Sequence, residues 1–231
     1  MSEEKPQPPE IEEELPALQK QLLSLAGIVE SVFADAVVAL IEGDISAANE
    51  ARLEDYKAHQ AWLQADTLAV DLLSTGRLTL DQVRFVCAGV KIASDLKLMA
   101  DEGIRVARQM RSFPNGNVPP GPCTEVLPRM ADIAQSMFSD SIESLVNEDA
   151  TEAHSLHLVF RELSSLNREL QERVNEDLAS DGKLPPPVGT CLVLVGRSLE
   201  AIGERALDIA GHVTHLYPAE ENTDELQAEA E

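Results

Sequence analysis

Apolar residues recur at every third or fourth position along most of this chain, the spacing that places side chains on one face of an α-helix. The last long stretch shows this row at Leu192, Val195, Leu199, Ile202, Ala206, Ile209, Val213 and Leu216. A second row runs through Phe85, Gly89, Ile92, Leu96, Met99, Gly103, Val106 and Met110. A third row occupies Leu15, Leu18, Leu22, Leu25, Val29, Val32, Ala36 and Leu40. We find no convincing alternation of period two in the sequence and therefore predict an all-α protein of long, lengthwise-packed helices.

Helix-breaking residues divide these rows into segments. Gly43 ends the first helix, Asp44 or Ser46 begins the second, and Thr79 is a candidate N-cap of the third. Prolines and glycines concentrate in one stretch, which we interpret as an interdomain linker. The four breaks are "EGDIS" (42–46), "STGRLTLDQ" (74–82), "SFPNGNVPPGP" (112–122) and "ASDGKLPPPVG" (179–189).

The segments on the two sides of the linker repeat each other. "SVFADAVVALIEGD" (31–44) aligns with "SMFSDSIESLVNED" (136–149) at an offset of 105. "SDLKLMADEGIRVARQ" (94–109) aligns with "RSLEAIGERALDIAGH" (197–212) at an offset of 103. The sequence thus predicts two tandem antiparallel three-helix bundles. We place the bundles at residues 15–112 and 130–217, the linker at 113–129, and acidic disordered tails at 1–14 and 218–231.

Charge and cysteine usage limit the classes of partner. The chain has 41 acidic and 18 basic residues and a formal net charge of −23, a surface that repels nucleic acid. The longest apolar run is the nine residues 188–196, whereas a membrane helix needs about 20, so we predict no membrane insertion. The first residues are acidic, unlike a secretory signal. Three widely spaced cysteines fit a reducing cytosol, and we expect Cys87 and Cys191 to be buried thiols.

The ordered pair of repeats resembles the PhoU family of bacterial phosphate-uptake regulators. The residues that carry the resemblance are "LLSLAGIVESVFADAVVALIEGD" with Asp55 after it, "QVR" at 82–84, "VKIASDLKLMADEG" and "RSLEAIGERA". They cover residues 18–112 and 130–217. The chain departs from the family motif where Leu98 and Ala201 replace its arginine.

The resemblance implies a cytoplasmic six-helix protein that is often a homodimer. Such proteins couple the ATPase subunit of the phosphate ABC transporter to a sensor histidine kinase and repress phosphate-starvation genes. Several bind metal clusters through acidic residues of the second and third helices. A generic helical adaptor without a phosphate role and a metal-binding helical bundle are the alternatives.

Three carboxylates on the third helix of the second repeat form an acidic row. Glu200, Glu204 and Asp208 are four residues apart, so their mutual repulsion would be relieved by a bound cation. The resemblance adds Asn167 from the second helix, although Leu163 stands where the family has an aspartate. We therefore predict a divalent or iron-type metal ion at Glu200, Glu204, Asp208 and Asn167; a solvated helix face is the alternative.

The equivalent row of the first repeat alternates in charge. Lys97, Asp101 and Arg105 offer two i, i+4 ion pairs, and a lysine at a ligand position opposes a cation. The resemblance puts Asp55 and His59 at ligand positions of the second helix. We expect an ion-paired face here instead of a metal site.

The remaining candidates are bases and histidines. The resemblance includes Arg84 and Lys91 on the third helix, which we interpret as a partner-contacting surface or a helix brace. The pairs His154/His157 and His212/His215 fit surface histidines near helix ends. The sequence lacks Glu-x-x-His, Gly-x-Ser-x-Gly and phosphate-loop motifs, so we predict no enzymatic activity.

Overall fold

The protein is an array of six long helices, seen here in a computed structural model that describes residues 11–121, 124–148, 153–180 and 184–217. Two 3₁₀ turns, Met110–Ser112 and Pro114–Gly116, lie between α3 and α4, and the described residues contain no β-strand. The helices are α1 (Ile11–Glu42), α2 (Ile45–Ser74), α3 (Leu80–Gln109), α4 (Leu127–Asn147), α5 (Ala153–Ala179) and α6 (Pro186–Leu216).

The helix boundaries follow local chemistry. Gly43 ends α1 in the left-handed conformation (φ +70°), which an L side chain rarely adopts. The Asp44 carboxylate then caps α2 by accepting a hydrogen bond of 2.7 Å from the backbone N–H of Ser46. Thr79 and Gln82 form a reciprocal capping box at the start of α3. The predicted starts at Asp44 and Thr79 are therefore correct.

Each repeat is a three-helix bundle, and the two bundles meet through their third helices. α1, α2 and α3 pack on one another, α6 packs against α4 and α5, and α3 packs against α6. All three predicted apolar rows face inward: every member is buried except Leu15, Phe85 and Leu216, which are half-buried. The predicted fold of two tandem three-helix bundles is confirmed.

The ends of the bundles differ from the predicted boundaries by a few residues. α1 begins at Ile11 instead of Leu15, because the glutamates that follow Ile11 favour the N-terminal turns of a helix. α4 begins at Leu127, and Phe113 of the linker is buried in the core. Residues 1–10 and 218–231, which make up most of the two predicted tails, lie outside the described residues.

One described helix is long and apolar enough to span a membrane by length and composition. It is the Glu14–Glu42 part of α1, 29 residues of mean hydropathy 1.9. Its apolar row, including Leu18, Leu22 and Leu25, is buried against α2 and α3. The core helix of a bundle has the same composition, so this finding is weak evidence for membrane insertion.

Candidate functional site

The polar contacts between the bundles are reciprocal. The Arg205 guanidinium lies 3.4 Å from the Asp95 carboxylate, and the Ser198 hydroxyl donates a 2.8 Å hydrogen bond to Glu102. At the repeat offset of 103, Ser198 is the counterpart of Asp95 and Arg205 the counterpart of Glu102. The same two positions therefore meet twice, as expected for antiparallel helices related by an internal twofold axis.

Arg205 is the centre of the contact that includes Asp95. It lies 2.6 Å from the Asp208 carboxylate and 3.6 Å from that of Glu204, in addition to Asp95. Asp95 is 7% exposed, and its second carboxylate oxygen lies 3.4 Å from His212 Nε2. The buried carboxylate thus has a guanidinium and an imidazole as neighbours, which offset its loss of hydration.

Sequence reasoning missed Asp95 and assigned His212 to the surface. His212 is half-buried against Asp95, because α3 and α6 run side by side and bring residues 117 positions apart together. The repeat alignment contained no signal for this contact: the opposite charges that it superimposes, Glu102 and Arg205, do not pair with each other, because Arg205 contacts Asp95 and Glu102 accepts from Ser198.

In the second repeat, Asn167 on α5 contacts Glu200 on α6. The Asn167 side-chain N–H donates to Glu200 at 2.6 Å, and Arg197 contacts the same carboxylate oxygen at 3.2 Å. The buried Asn167 Oδ1 has no hydrogen-bond partner. An added Cβ at Gly196 would lie 2.6 Å from this oxygen, so a larger residue there would displace the Asn167 side chain.

The four predicted metal ligands are divided between two places. Glu200 and Glu204 line a depression of about 240 Å³ between α5 and α6, whereas Asp208 lines the groove between α6 and α3. Each step of four residues turns a helix by about 40° beyond a full revolution, so Asp208 points about 80° away from Glu200. Leu163, where the family has an aspartate, is a core residue that packs beside Gly203.

This arrangement does not fit a metal centre that uses all four residues. Arg197 already occupies one side of Glu200, and Arg205 engages Asp208. Across the residues that the structure describes, no three His, Cys, Asp or Glu side chains are grouped so that they could hold a metal ion. The metal on the second repeat stays a prediction.

The first repeat places a lysine ammonium where its two helices bring carboxylates together. Lys97 Nζ lies 2.5 Å from Asp101 and 3.5 Å from Asp55 on α2. The predicted pair of Lys97 with Asp101 is therefore present. The predicted pair of Asp101 with Arg105 is not, because Arg105 contacts Glu102, one turn away, at 2.5 Å.

His59 is the other residue of the first repeat that the family resemblance puts at a ligand position. It takes no part in the network of Lys97, Asp55 and Asp101. The imidazole is exposed and tilts against Trp62, with ring centroids 5.6 Å apart. The ammonium of Lys97 is only partly exposed and connects α2 to α3, so it does electrostatically what a bound cation would do at this point.

Arg84 and Lys91 lie on the solvent side of α3. Both are exposed, and the Arg84 guanidinium contacts the exposed Asp81 carboxylate at 2.9 Å within the same helix. Such a local contact braces no second helix. Cys87 between them is exposed, which corrects the expected burial, because position 87 points toward the groove between α3 and α6. Cys191 is buried as expected.

Together, the fold and these contacts define a duplicated helical-bundle protein whose polar groups connect helices in ion-paired networks. The PhoU domain model matches residues 22–110 and 127–213, once in each bundle. The chain therefore belongs to the PhoU family.

Individual relatives agree with this assignment. The chain is 28% identical over 207 residues to the phosphate-specific transport system accessory protein PhoU homolog of Pseudomonas putida, covering 88% of this chain and 78% of the relative. It is similar to the crystal structure of PhoU from Pseudomonas aeruginosa (TM-score 0.83, 26% identity, 90% of this chain and 98% of the other). PhoU from Streptococcus pneumoniae shares the fold (TM-score 0.82, 20% identity, 90% and 97%).

Proposed function

We propose that this chain is a cytoplasmic accessory regulator of phosphate uptake. In this role it binds the ATPase subunit of the phosphate ABC transporter and a sensor histidine kinase, and it represses the phosphate-starvation response. The observation that carries the proposal is the match of the PhoU domain to both bundles, with relatives named as accessory proteins of the phosphate-specific transport system.

The geometry supports a role in binding. The polar networks around Arg205 and Lys97 satisfy their own charges, and each connects two helices. Rigid helical faces of this kind suit contacts with other proteins, whereas a bundle fold alone specifies no function. The alternatives are a helical adaptor without a phosphate role and a metal-binding bundle.

A pull-down from cells grown in high and in low phosphate tests the proposal. We expect the tagged chain to recover the transporter ATPase subunit, and we expect deletion of its gene to activate a phosphate-starvation reporter in high phosphate. If the chain recovers proteins unrelated to phosphate transport and the reporter is unchanged, the adaptor interpretation replaces this one.

Arg84 and Lys91 form the predicted partner-contacting surface. Charge reversal of both (Arg84→Glu/Lys91→Glu) should weaken recovery of the partner and leave the stability within about 0.5 kcal/mol, as for other exposed positions. Arg161→Glu/Arg168→Glu is a matched control, because these exposed bases on α5 have the same seven-residue spacing. If the two double variants recover the partner protein equally well, the contact surface lies elsewhere.

The family resemblance also implies a homodimer, and α2 has a surface that suits one. Its inward side is lined mainly by alanines, whereas Leu53, Tyr56, Leu63 and Val70 are exposed at helical spacing on the other side. Replacement of Leu53 and Tyr56 by lysine should lower the mass measured by light scattering to that of one chain. An unchanged mass would exclude this face as the dimer contact.

A further inference from the structure

An open groove of about 610 Å³ lies where α3, α6 and the first turns of α5 meet. Its volume is within the range of about 300–1,000 Å³ that is usual for small-molecule sites. Two bases and three imidazoles line it, together with a single carboxylate and an apolar floor. These charged and imidazole side chains are Arg84, Lys91, His157, Asp208, His212 and His215.

The two bases stand on one face of α3. Arg84 and Lys91 are seven residues apart, which separates their backbones by two helical turns, about 10 Å. Lys91 has no ion pair with any described residue. Arg84 contacts Asp81, whose side chain is 88% exposed, so water screens this pair strongly and leaves the guanidinium available to a ligand.

The imidazoles come from the other two helices. His157 belongs to α5, and His212 and His215 belong to α6. One ring nitrogen of His212 lies near Asp95, and one of His215 lies 2.9 Å from the Gly211 carbonyl oxygen. The second ring nitrogen of each has no hydrogen-bond partner among the described residues and can still donate or accept.

The one carboxylate in the lining shares a guanidinium with Asp95 and Glu204. Asp208 lies 2.6 Å from Arg205, which itself is not part of the lining. The side chains that line the groove therefore include two permanent positive charges against one carboxylate, on a chain whose formal net charge is −23. Local potential, and not the overall sum, determines which small ions a cleft concentrates.

Its chemistry fits an anion better than a cation. The described residues offer no group of three metal-ligating side chains, whereas Arg, Lys and His are the usual donors to phosphate oxygens. A groove with bases two helical turns apart is longer than one phosphate requires. We propose that this groove binds the oligophosphate group of a small molecule, with the phosphates held between the bases of α3 and the imidazoles of α5 and α6.

Two sources share this ligand chemistry. Inorganic oligophosphate would use the charged groups alone. A nucleoside triphosphate would in addition place its base against the apolar side chains of Ala88, Leu207 and Leu216, which also line the groove. The inference deepens the proposed function by naming a phosphate-bearing ligand, and it rests on that function only for its biological meaning.

Calorimetric titration of the purified full-length chain tests the proposal without any partner protein. The probes are inorganic tripolyphosphate, metal-free ATP and orthophosphate at equal ionic strength. We expect tripolyphosphate to bind at least tenfold more tightly than orthophosphate. Tighter binding of ATP than of tripolyphosphate would identify a nucleotide, and equal or weaker binding would identify inorganic oligophosphate.

Charge reversal locates the site. Arg84→Glu/Lys91→Glu should weaken tripolyphosphate binding at least tenfold, whereas the matched Arg161→Glu/Arg168→Glu should change it less than twofold. Circular dichroism checks the fold, and the milder Lys91→Gln, expected to weaken binding about threefold, replaces the double variant if that does not fold. No binding by the native chain, or equal weakening by both double variants, overturns the proposal.

The outcome is separable from that of the proposed function. Tripolyphosphate binding without recovery of the transporter ATPase subunit would support the groove and contradict the regulator. Recovery of that subunit by a chain that binds no tripolyphosphate would support the regulator and contradict the groove.

Discussion

The two repeats place opposite charges at the same point of their third helices. In the first, Lys97 connects Asp55 and Asp101 across α2 and α3; in the second, Glu200 takes its place and is held by Asn167 and Arg197. Each copy keeps the apolar row that buries its third helix, but the polar neighbours have been exchanged. The comparison shows that a duplicated bundle can keep its core and change its charges, provided that each buried charge keeps a partner.

The contact between the bundles shows the same principle. One of the two reciprocal contacts is charged, Asp95 with Arg205, and the other is Ser198 with Glu102. The charged contact is part of a network with Asp208 and His212. We expect loss of this network to cost more stability than any other change between the copies.

Removal of Arg205 should have the largest effect. Arg205→Ala leaves the buried Asp95 with His212 as its remaining ion-pair neighbour among the described residues. We expect a loss of about 2 kcal/mol in the free energy of unfolding, less than for a fully buried pair, because the Arg205 side chain is 30% exposed. Urea unfolding measures it.

Two variants calibrate this result. Arg168→Ala removes an exposed guanidinium from α5 and should cost less than about 0.5 kcal/mol. Ser198→Ala removes the hydroxyl that donates to Glu102 in the counterpart contact and should cost about 1 kcal/mol. If Arg205→Ala costs no more than Arg168→Ala, the charged contact does not stabilise the junction of the bundles.

Exchange of charge between the repeats should have the next largest effect. Lys97→Glu places in the first repeat the glutamate that the second repeat has at the equivalent position, Glu200. The new carboxylate then lies beside those of Asp55 and Asp101. We expect a loss of about 1 kcal/mol, which millimolar Mg²⁺ should partly restore because a cation then takes over the role of the ammonium. Urea unfolding with and without Mg²⁺ measures both.

The control is Lys57→Glu, the same change of charge in an exposed pair on α2. It should change stability little and show no response to Mg²⁺. An identical response of both variants would mean that the position of Lys97 is not special.

The acidic face of the second repeat provides a smaller test. Glu200→Ala/Glu204→Ala removes the carboxylate that accepts from the buried Asn167 and should cost less than about 1 kcal/mol. If the predicted metal binds here, elemental analysis should find it in the native chain and not in this variant. Equal metal content in the two proteins would exclude the site.

The smallest effect concerns the first helix of each repeat. Burial raises the pKa of the Asp35 carboxyl above its ordinary value, and the carboxylates of Glu50 and Glu54 raise it further. The folded chain therefore holds this proton more tightly than the unfolded chain. Ionisation of Asp35 therefore lowers the free energy of unfolding. This loss is absent at low pH, grows as the pH rises from the ordinary pKa through the raised pKa, and is constant above it.

Asp35→Asn should consequently raise the Tm slightly at pH 7, and the gain should disappear below about pH 4, where the native carboxyl is also protonated. Asp140 occupies the same position in the second repeat and has Ser136 as its neighbour at 3.4 Å. Asp140→Asn is thus the matched control, and we expect no gain from it. A lower Tm for Asp35→Asn at pH 7 would show that repulsion of Asp35 by Glu50 and Glu54 does not destabilise the folded chain.

Local sequence determined the helices, their caps and the duplication. Asp44 and Thr79 cap helices because their side-chain oxygens reach backbone N–H groups a few residues away, an interaction that needs no tertiary structure. The buried rows follow from the same kind of argument, since helical periodicity alone puts Leu96 and Leu199 on the inner face. The family followed from the order and spacing of these elements.

Only the tertiary structure decided where the charges go. The sequence placed Glu200, Glu204 and Asp208 in one row, but the rotation of the helix directs Asp208 to α3 and leaves Glu200 with α5. It gave no reason to connect Asp95 with Arg205 or His212, or Lys91 with three histidines, because those residues meet only when α3 packs against α6. Helix periodicity fixes which side of a helix a residue occupies, whereas the packing of distant helices determines what it faces there.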